Sequence, residues 1–99
     1  MKVVLTAEAL DDLEQIGDYI ARDNPSRARS FVAELLGKAR GLAALPEGFP
    51  LVPNYARSGI RRRAHGRYLI FYRIDPGQIT VIHILHGSQD YEAMLFPDG

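Results

Sequence analysis

The sequence has no cysteine and no tryptophan, and its formal net charge is zero. Without cysteine there is neither a disulfide framework nor a Cys-based zinc site, which accords with a reducing compartment. No apolar run approaches the roughly 20 residues that a membrane-spanning helix needs. The opening Met1-Lys2-Val3-Val4-Leu5 is too short, and too soon followed by acids, to read as a signal peptide. These absences together set the expectation of a cytoplasmic protein with no membrane role. A balanced charge also removes the bulk electrostatic argument for nucleic-acid binding, so direct sequence-specific DNA binding is not expected. No phosphate-cradling glycine loop and no metal-ligand spacing occur, hence no cofactor and no metal are expected.

What remains is 46% hydrophobic in 99 residues, enough for one folded domain spanning 1–99. So small a domain buries only about two-thirds of its unfolded surface. Its core is modest, and a partner could add much to its stability. The charge is unevenly placed: residues 1–56 carry six basic and eight acidic side chains, whereas residues 57–73 carry six arginines and no acid. A solvated strand face and a surface for an acidic partner are both open readings of that cluster.

Periodicity divides the chain. Val3 to Leu5 reads as a strand. Thr6 is a candidate N-cap, followed by Ala9, Leu10, Leu13, Ile16, Gly17 and Ile20 at helical spacing, with Asp11, Asp12, Glu14 and Asp18 mostly off that face. Asn24-Pro25 ends this helix and caps a second, carrying Ala28, Phe31, Val32, Leu35, Leu36, Ala39, Leu42 and Leu45. The short joint predicts an antiparallel helix hairpin. Pro46, Gly48, Pro50 and Pro53 then mark a loop, in which Phe49, Leu51 and Tyr55 are expected to tuck under the sheet or the helices.

Three strands follow: Ile60 to Ala64, Arg67 to Ile74 and Gln78 to His86, with turns at His65-Gly66 and Asp75-Pro76-Gly77. The last two are apolar on both faces, which predicts central strands covered twice. A short helix is expected around Tyr91 to Leu95 in the tail, Gly87 to Gly99. The order β-α-α-β-β-β makes the chain α+β, a helix hairpin packed on an antiparallel sheet.

Three stretches resemble the ParE/RelE toxin superfamily: Thr6 to Ile16; Arg61-Arg62-Arg63 with Gly66-Arg67-Tyr68-Leu69-Ile70-Phe71-Tyr72-Arg73-Ile74; and Val81-Ile82-His83-Ile84-Leu85-His86-Gly87-Ser88-Gln89-Asp90. Their order and spacing are most similar to the ParE branch. The resemblance implies the toxin of a type II toxin–antitoxin module, causing growth arrest and serving plasmid stabilisation. It implies neutralisation by an acidic ParD-like antitoxin. RelE-type members cut messenger RNA on the ribosome with basic and aromatic side chains; ParE-type members inhibit DNA gyrase and lack that set. At the positions where the RelE pattern carries cations, this chain has Ile60, Leu69 and Gln89, and only Arg62 keeps one. Leucine and isoleucine neither neutralise a phosphate nor move a proton.

With His65-Gly66 as the hairpin loop, Arg62 opposes Leu69, and Ile60, Arg62, Leu69 and Phe71 share one mainly apolar face. Such a face needs a cover, from the tail or from a partner. His83 and His86 point to opposite faces of one strand, so they do not share a metal; a structural role is expected for His83 and a local hydrogen bond for His86. Tyr68 and Tyr72 share a face at the edge of the core, together with Arg61 and Arg63, and Arg73 is expected to pair with a helix acid or the tail.

Three functions stay open: a gyrase-directed inhibitor that is not an enzyme; a ribosome-dependent endonuclease with a rearranged site of Arg62, Arg67, Arg73, His86 and Tyr91; and a non-toxic module that keeps only antitoxin binding. Candidate antitoxin contacts are Leu36, Phe49, Leu51, Arg61, Arg63 and Arg73.

Overall fold

A computed structural model describes residues 1–98; Gly99, the last residue of the predicted tail, lies outside the described residues. The elements are β1 (Lys2–Leu5), α1 (Ala7–Ala21), α2 (Pro25–Arg40), β2 (Arg61–His65), β3 (Tyr68–Asp75), β4 (Gln78–His86) and α3 (Tyr91–Leu95), with short 3-10 turns at Gly41–Ala44 and Ala56–Ser58. Both helix starts form as their caps dictate. The Thr6 hydroxyl accepts from the Ala9 N–H, and the Asn24 side chain accepts from the Arg27 N–H with Pro25 opening the helix. Helix α2 stops at Arg40, so Leu42 and Leu45, expected on the helix, fall on and just after the 3-10 turn.

The sheet order is β1-β4-β3-β2. Strands β2, β3 and β4 form the expected antiparallel meander, but β1 runs parallel to β4, from Lys2 opposite Gln78 to Leu5 opposite Val81. The sheet is therefore mixed rather than wholly antiparallel. Periodicity locates strands without giving their direction. The helix hairpin occupies the interval between β1 and β2, and the meander then leaves β4 running with β1.

The β2–β3 turn is Gly66-Arg67, one residue later than expected: His65 opposes Tyr68, Ala64 opposes Leu69 and Arg62 opposes Phe71. Gly66 has φ +58°, as a two-residue turn with glycine in its first central position requires. The shift moves each pairing by two residues, so every side chain keeps its face, and Arg62, Leu69 and Phe71 stay together. The second turn has Pro76 then Gly77 at φ +71°, between paired Asp75 and Gln78.

The two predicted faces are both filled. Under the helices, Ala9, Leu13, Ile16, Leu35, Ala39 and Leu42 pack on Ile70, Tyr72, Ile79, Val81 and Ile84. On the reverse face, Val52, Phe71 and Leu85 lie beneath Tyr55, Ile60, Leu69, Tyr91, Leu95 and Phe96. The proline loop and the tail meet there, with the Tyr55 and Phe96 rings stacked at 3.9 Å. Residue Ile82 has no partner across β3, since Phe71 opposes His83 and Tyr72 opposes Val81. This bulge is why Ile84 joins Ile79 and Val81 on the helix side despite the break in odd-even alternation.

Past Leu5 the edge of β4 has no strand beside it, and α1 supplies the missing partners. Thr6 donates its backbone N–H to the Val81 carbonyl and its hydroxyl to the Ile82 carbonyl. One Asp12 oxygen accepts from the Ile84 N–H at 2.9 Å and bonds His83 Nδ1 at 2.7 Å. His83 thus has the structural role expected of it. Asp12 is half-buried rather than on the solvent side of α1, because α1 crosses that open edge.

Asp12→Ala would leave a strand N–H and an imidazole without an acceptor, at a cost of about 2 kcal/mol. Urea unfolding should show that loss as a lower midpoint with unchanged slope. The Tyr72 hydroxyl donates to the Pro46 carbonyl at 2.6 Å, and burial pushes both Tyr72 and Tyr68 above the ordinary phenol range. A raised phenol pKa contributes stability that is fully present below the unfolded value and is lost as pH rises toward the folded one. Unfolding midpoints should accordingly fall above about pH 10, and Tyr72→Phe should flatten that fall.

Candidate functional site

The structure brings the residues singled out from sequence together in pairs, not in one constellation. On the reverse face, the Arg62 guanidinium donates from Nη1 to the Tyr91 hydroxyl at 2.8 Å. They lie in a recess of about 410 Å³ with Phe49, Pro50, Leu69 and Gly87 in its walls. On the helix side, Arg67 and His86 line a different recess. Arg73 is at the far end of β3, where its Nε bonds Asp75 at 3.1 Å. That corrects the expectation that Arg73 pairs with a helix acid or the tail: two residues along the same strand, Asp75 is nearer than either, and Thr80 fixes it by donating to it at 2.6 Å. The Thr80 and Arg73 bonds hold the Asp75 carboxyl below its ordinary range.

Local folding explains each neutral position. Ile60 and Leu69 belong to the apolar layer around Phe71. Gln89 closes the turn after β4, its Oε1 accepting from the His86 N–H at 2.8 Å. His86 makes the local bond expected: its Nδ1 accepts from the Ser88 N–H at 3.1 Å, which leaves the neutral ring protonated on Nε2. The Arg62–Tyr91 recess therefore offers one guanidinium and one phenol in apolar walls. It can bind an anion or donate a proton, and among the described residues no carboxylate or imidazole lines it as a base.

The candidate antitoxin contacts also separate. Leu36 lines a groove of about 600 Å³ between α1 and α2, together with Leu13, Gly17, Ala28 and Val32, rimmed by Glu14, Asp18 and Arg29. Phe49 and Leu51 lie instead beside the β2 edge, where Leu51 forms a single bridge to Arg61. Arg61 donates to the Phe49 carbonyl at 2.7 Å, and Arg63 donates to the Lys38 carbonyl at 3.0 Å while covering the Phe49 ring. These two cations staple the proline loop and the end of α2 to the sheet.

Sequence reasoning missed one charged cluster. Glu34 on α2 accepts from Arg27 and sits 2.8 Å from His65 Nε2, and these bonds hold its carboxyl below the ordinary range. The i, i+7 spacing of Arg27 and Glu34 was the available signal, but His65 arrives only through the sheet register.

A helix hairpin packed on a mixed four-stranded sheet is an α+β fold that this chain shares with solved toxin–antitoxin proteins. The sequence profile described as ParE toxin of type II toxin-antitoxin system, parDE, matches residues 3–91. The chain belongs to that family. Two solved structures share the fold. One, described as the chromosomal ParDE toxin–antitoxin system from P. aeruginosa, aligns with TM-score 0.73 at 20% identity over 87% of this chain and 95% of that one. The other, the toxin–antitoxin complex RelBE2 from Mycobacterium tuberculosis, aligns with TM-score 0.64 at 23% identity over 86% of this chain and 88% of that one. No curated protein matches the sequence significantly.

Because Glu34 titrates below its ordinary value in the fold, its contribution to stability is present above the ordinary carboxylate range and is lost as pH falls through the depressed value. Arg27→Gln should raise the Glu34 midpoint in a carboxyl NMR titration more than His65→Gln does, since the Arg27 bond is the larger cause.

Proposed function

We propose that this chain is the toxin of a type II module that inhibits DNA gyrase by protein–protein contact in the cytoplasm, arrests growth and is silenced by a ParD-like antitoxin. One observation carries the reading. The sheet face on which a RelE-type nuclease would work is filled by Ile60, Leu69, Phe71 and Leu85 and covered by the chain's own tail and proline loop. Its remaining cation, Arg62, is engaged by Tyr91. Cleavage of a phosphodiester needs charge neutralisation and proton transfer at the same place, and this face supplies little of either. The similar ParDE and RelBE2 structures, described as toxin–antitoxin assemblies, support an antitoxin partner. Its anchor is assigned to the groove at Leu36, whose small residues Gly17, Ala21, Ala28 and Ala33 admit bulky apolar side chains. Phe49, Leu51, Arg61, Arg63 and Arg73 belong to a secondary contact at most, since the three arginines already have partners in the chain.

A second reading has one observation in its favour: Arg62 and Tyr91 are together in a recess on the nuclease face. Under it the chain would be a weakened ribosome-dependent endonuclease.

Purified toxin should inhibit gyrase supercoiling and leave cleaved DNA complexes, and Arg62→Leu with Tyr91→Phe should leave that activity within about twofold, because replacing both partners of a hydrogen bond by apolar groups is nearly neutral. Intact gyrase activity, with ribosome-bound message cut in an Arg62-dependent way, would establish the nuclease reading instead. Leu36→Glu should cut antitoxin affinity at least about a hundredfold by placing a charge in an apolar groove.

A further inference from the structure

The two sides of α1 present opposite chemistry. The groove at Leu36 is apolar and rimmed by Glu14 and Asp18. Across the helix, where α1 and α2 meet the start of β3 and the end of β4, lies a recess of about 670 Å³ that none of the roles above uses. Tyr19, Arg27, Phe31, Arg67, Tyr68 and His86 line it, and no carboxylate does.

Its floor is a continuous run of rings. Phe31 lies 5.2 Å from His65 and 5.6 Å from Tyr68, and Tyr68 stands edge-on to His86 at 5.2 Å. Its rim is cationic. The Arg27 guanidinium covers the Phe31 ring at 5.1 Å, and Arg22 approaches the Tyr19 ring at 5.8 Å. Arg67 is exposed, and its side chain makes no hydrogen bond or ion pair among the described residues. Its backbone is nevertheless fixed: it ends the Gly66-Arg67 turn, and its carbonyl accepts from the Gly87 N–H at 2.8 Å. The turn thus sets where the Arg67 side chain starts, beside the aromatic floor, and leaves its guanidinium free to pair with a ligand. Tyr19 is 65% exposed, a large apolar ring left in water beside these charges.

We propose that this recess is a second docking site, for an acidic segment of a protein partner in which carboxylates alternate with aromatic or aliphatic side chains. The carboxylates meet Arg67; the apolar side chains cover Tyr68, Phe31 and Tyr19, and by excluding water strengthen the ion pair. Glu34 does not line the recess and is held by bonds to Arg27 and His65. Glu8, Asp11, Asp12, Glu14 and Asp18, acids of α1, line other recesses. The antitoxin is the partner that the toxin reading supplies, and the proposal rests on that reading only for the partner's identity.

The test uses the full chain and a fluorescein-labelled nonapeptide that alternates glutamate with phenylalanine and leucine. A second peptide replaces every glutamate by glutamine. Fluorescence anisotropy should show binding of the first, weakened by added salt, and much poorer binding of the second. Arg67→Glu should weaken the acidic peptide about tenfold or more, in line with reversal of a rim charge, and Tyr19→Ala should weaken it too. Arg57→Glu, on the loop of the reverse face, should not. Circular dichroism keeps the result interpretable, since Arg67 and Tyr19 are both exposed and their replacement should leave the fold intact. Equal binding of the two peptides, or an Arg67→Glu variant that binds like the unaltered chain, would overturn the proposal. So would displacement of the peptide by a single-stranded oligonucleotide at lower concentration, which would assign the recess to phosphate. Growth arrest is scored separately. A chain that arrests growth and ignores the peptide defeats this site alone; a chain that binds the peptide and never arrests growth defeats the toxin reading alone.

Discussion

Two adjacent strands, β3 and β4, are apolar on both faces, and in a chain of 99 residues that demands two separate covers. The α1–α2 hairpin provides the first over Ile70, Tyr72, Ile79, Val81 and Ile84. The second has to come from irregular chain, because no further helix of that length exists among the described residues. The proline loop and the tail provide it, and the loop is held in place by Arg61, which donates to the Phe49 carbonyl, and by Arg63, which covers the Phe49 ring. Burial of the reverse face thus decides what that face can do. A surface filled by Leu69, Phe71 and Leu85 and roofed by Tyr55 and Phe96 is a second core.

Most of this was readable from the residues. Apolar residues on both faces mark the central strands, three- and four-residue spacing marks the hairpin, and Thr6 and Asn24 mark the helix starts. What stayed hidden has physical causes. Strand direction does not alter periodicity, so the parallel β1–β4 pair was missed. The bulge at Ile82 has no composition signal, yet it moves Ile84 to the helix side. Asp12 looked like a solvent-facing acid because helical periodicity does not know that β1 stops short of the end of β4. The hairpin turn was misplaced by one residue without consequence, since the pairing moved by two and the faces survived.

The site was less legible than the fold. Substitutions at Ile60, Leu69 and Gln89 were visible as missing cations, and the structure supplies their reason as two packing residues and a turn closer. The grouping of side chains was not visible. Arg62 with Tyr91, Arg67 with His86, and Arg73 with Asp75 are three separate places. Nothing in the linear order distinguishes arginines that staple the chain, such as Arg61 and Arg63, from one that faces outward on a pinned turn, such as Arg67. That distinction depends on which carbonyls lie within reach, and only the assembled loop determines it.

The tail is part of the core and not a lid over a catalytic face. Hydrogen–deuterium exchange of the full chain, alone and with its antitoxin bound, tests it most directly. The Val52 and Phe96 amides, which donate to the Ile60 and Glu92 carbonyls, should exchange slowly in both states, with new protection confined to the helix side. Fast exchange at these amides in the free chain, or release of the tail on antitoxin binding, would show that the reverse face opens, and would contradict it.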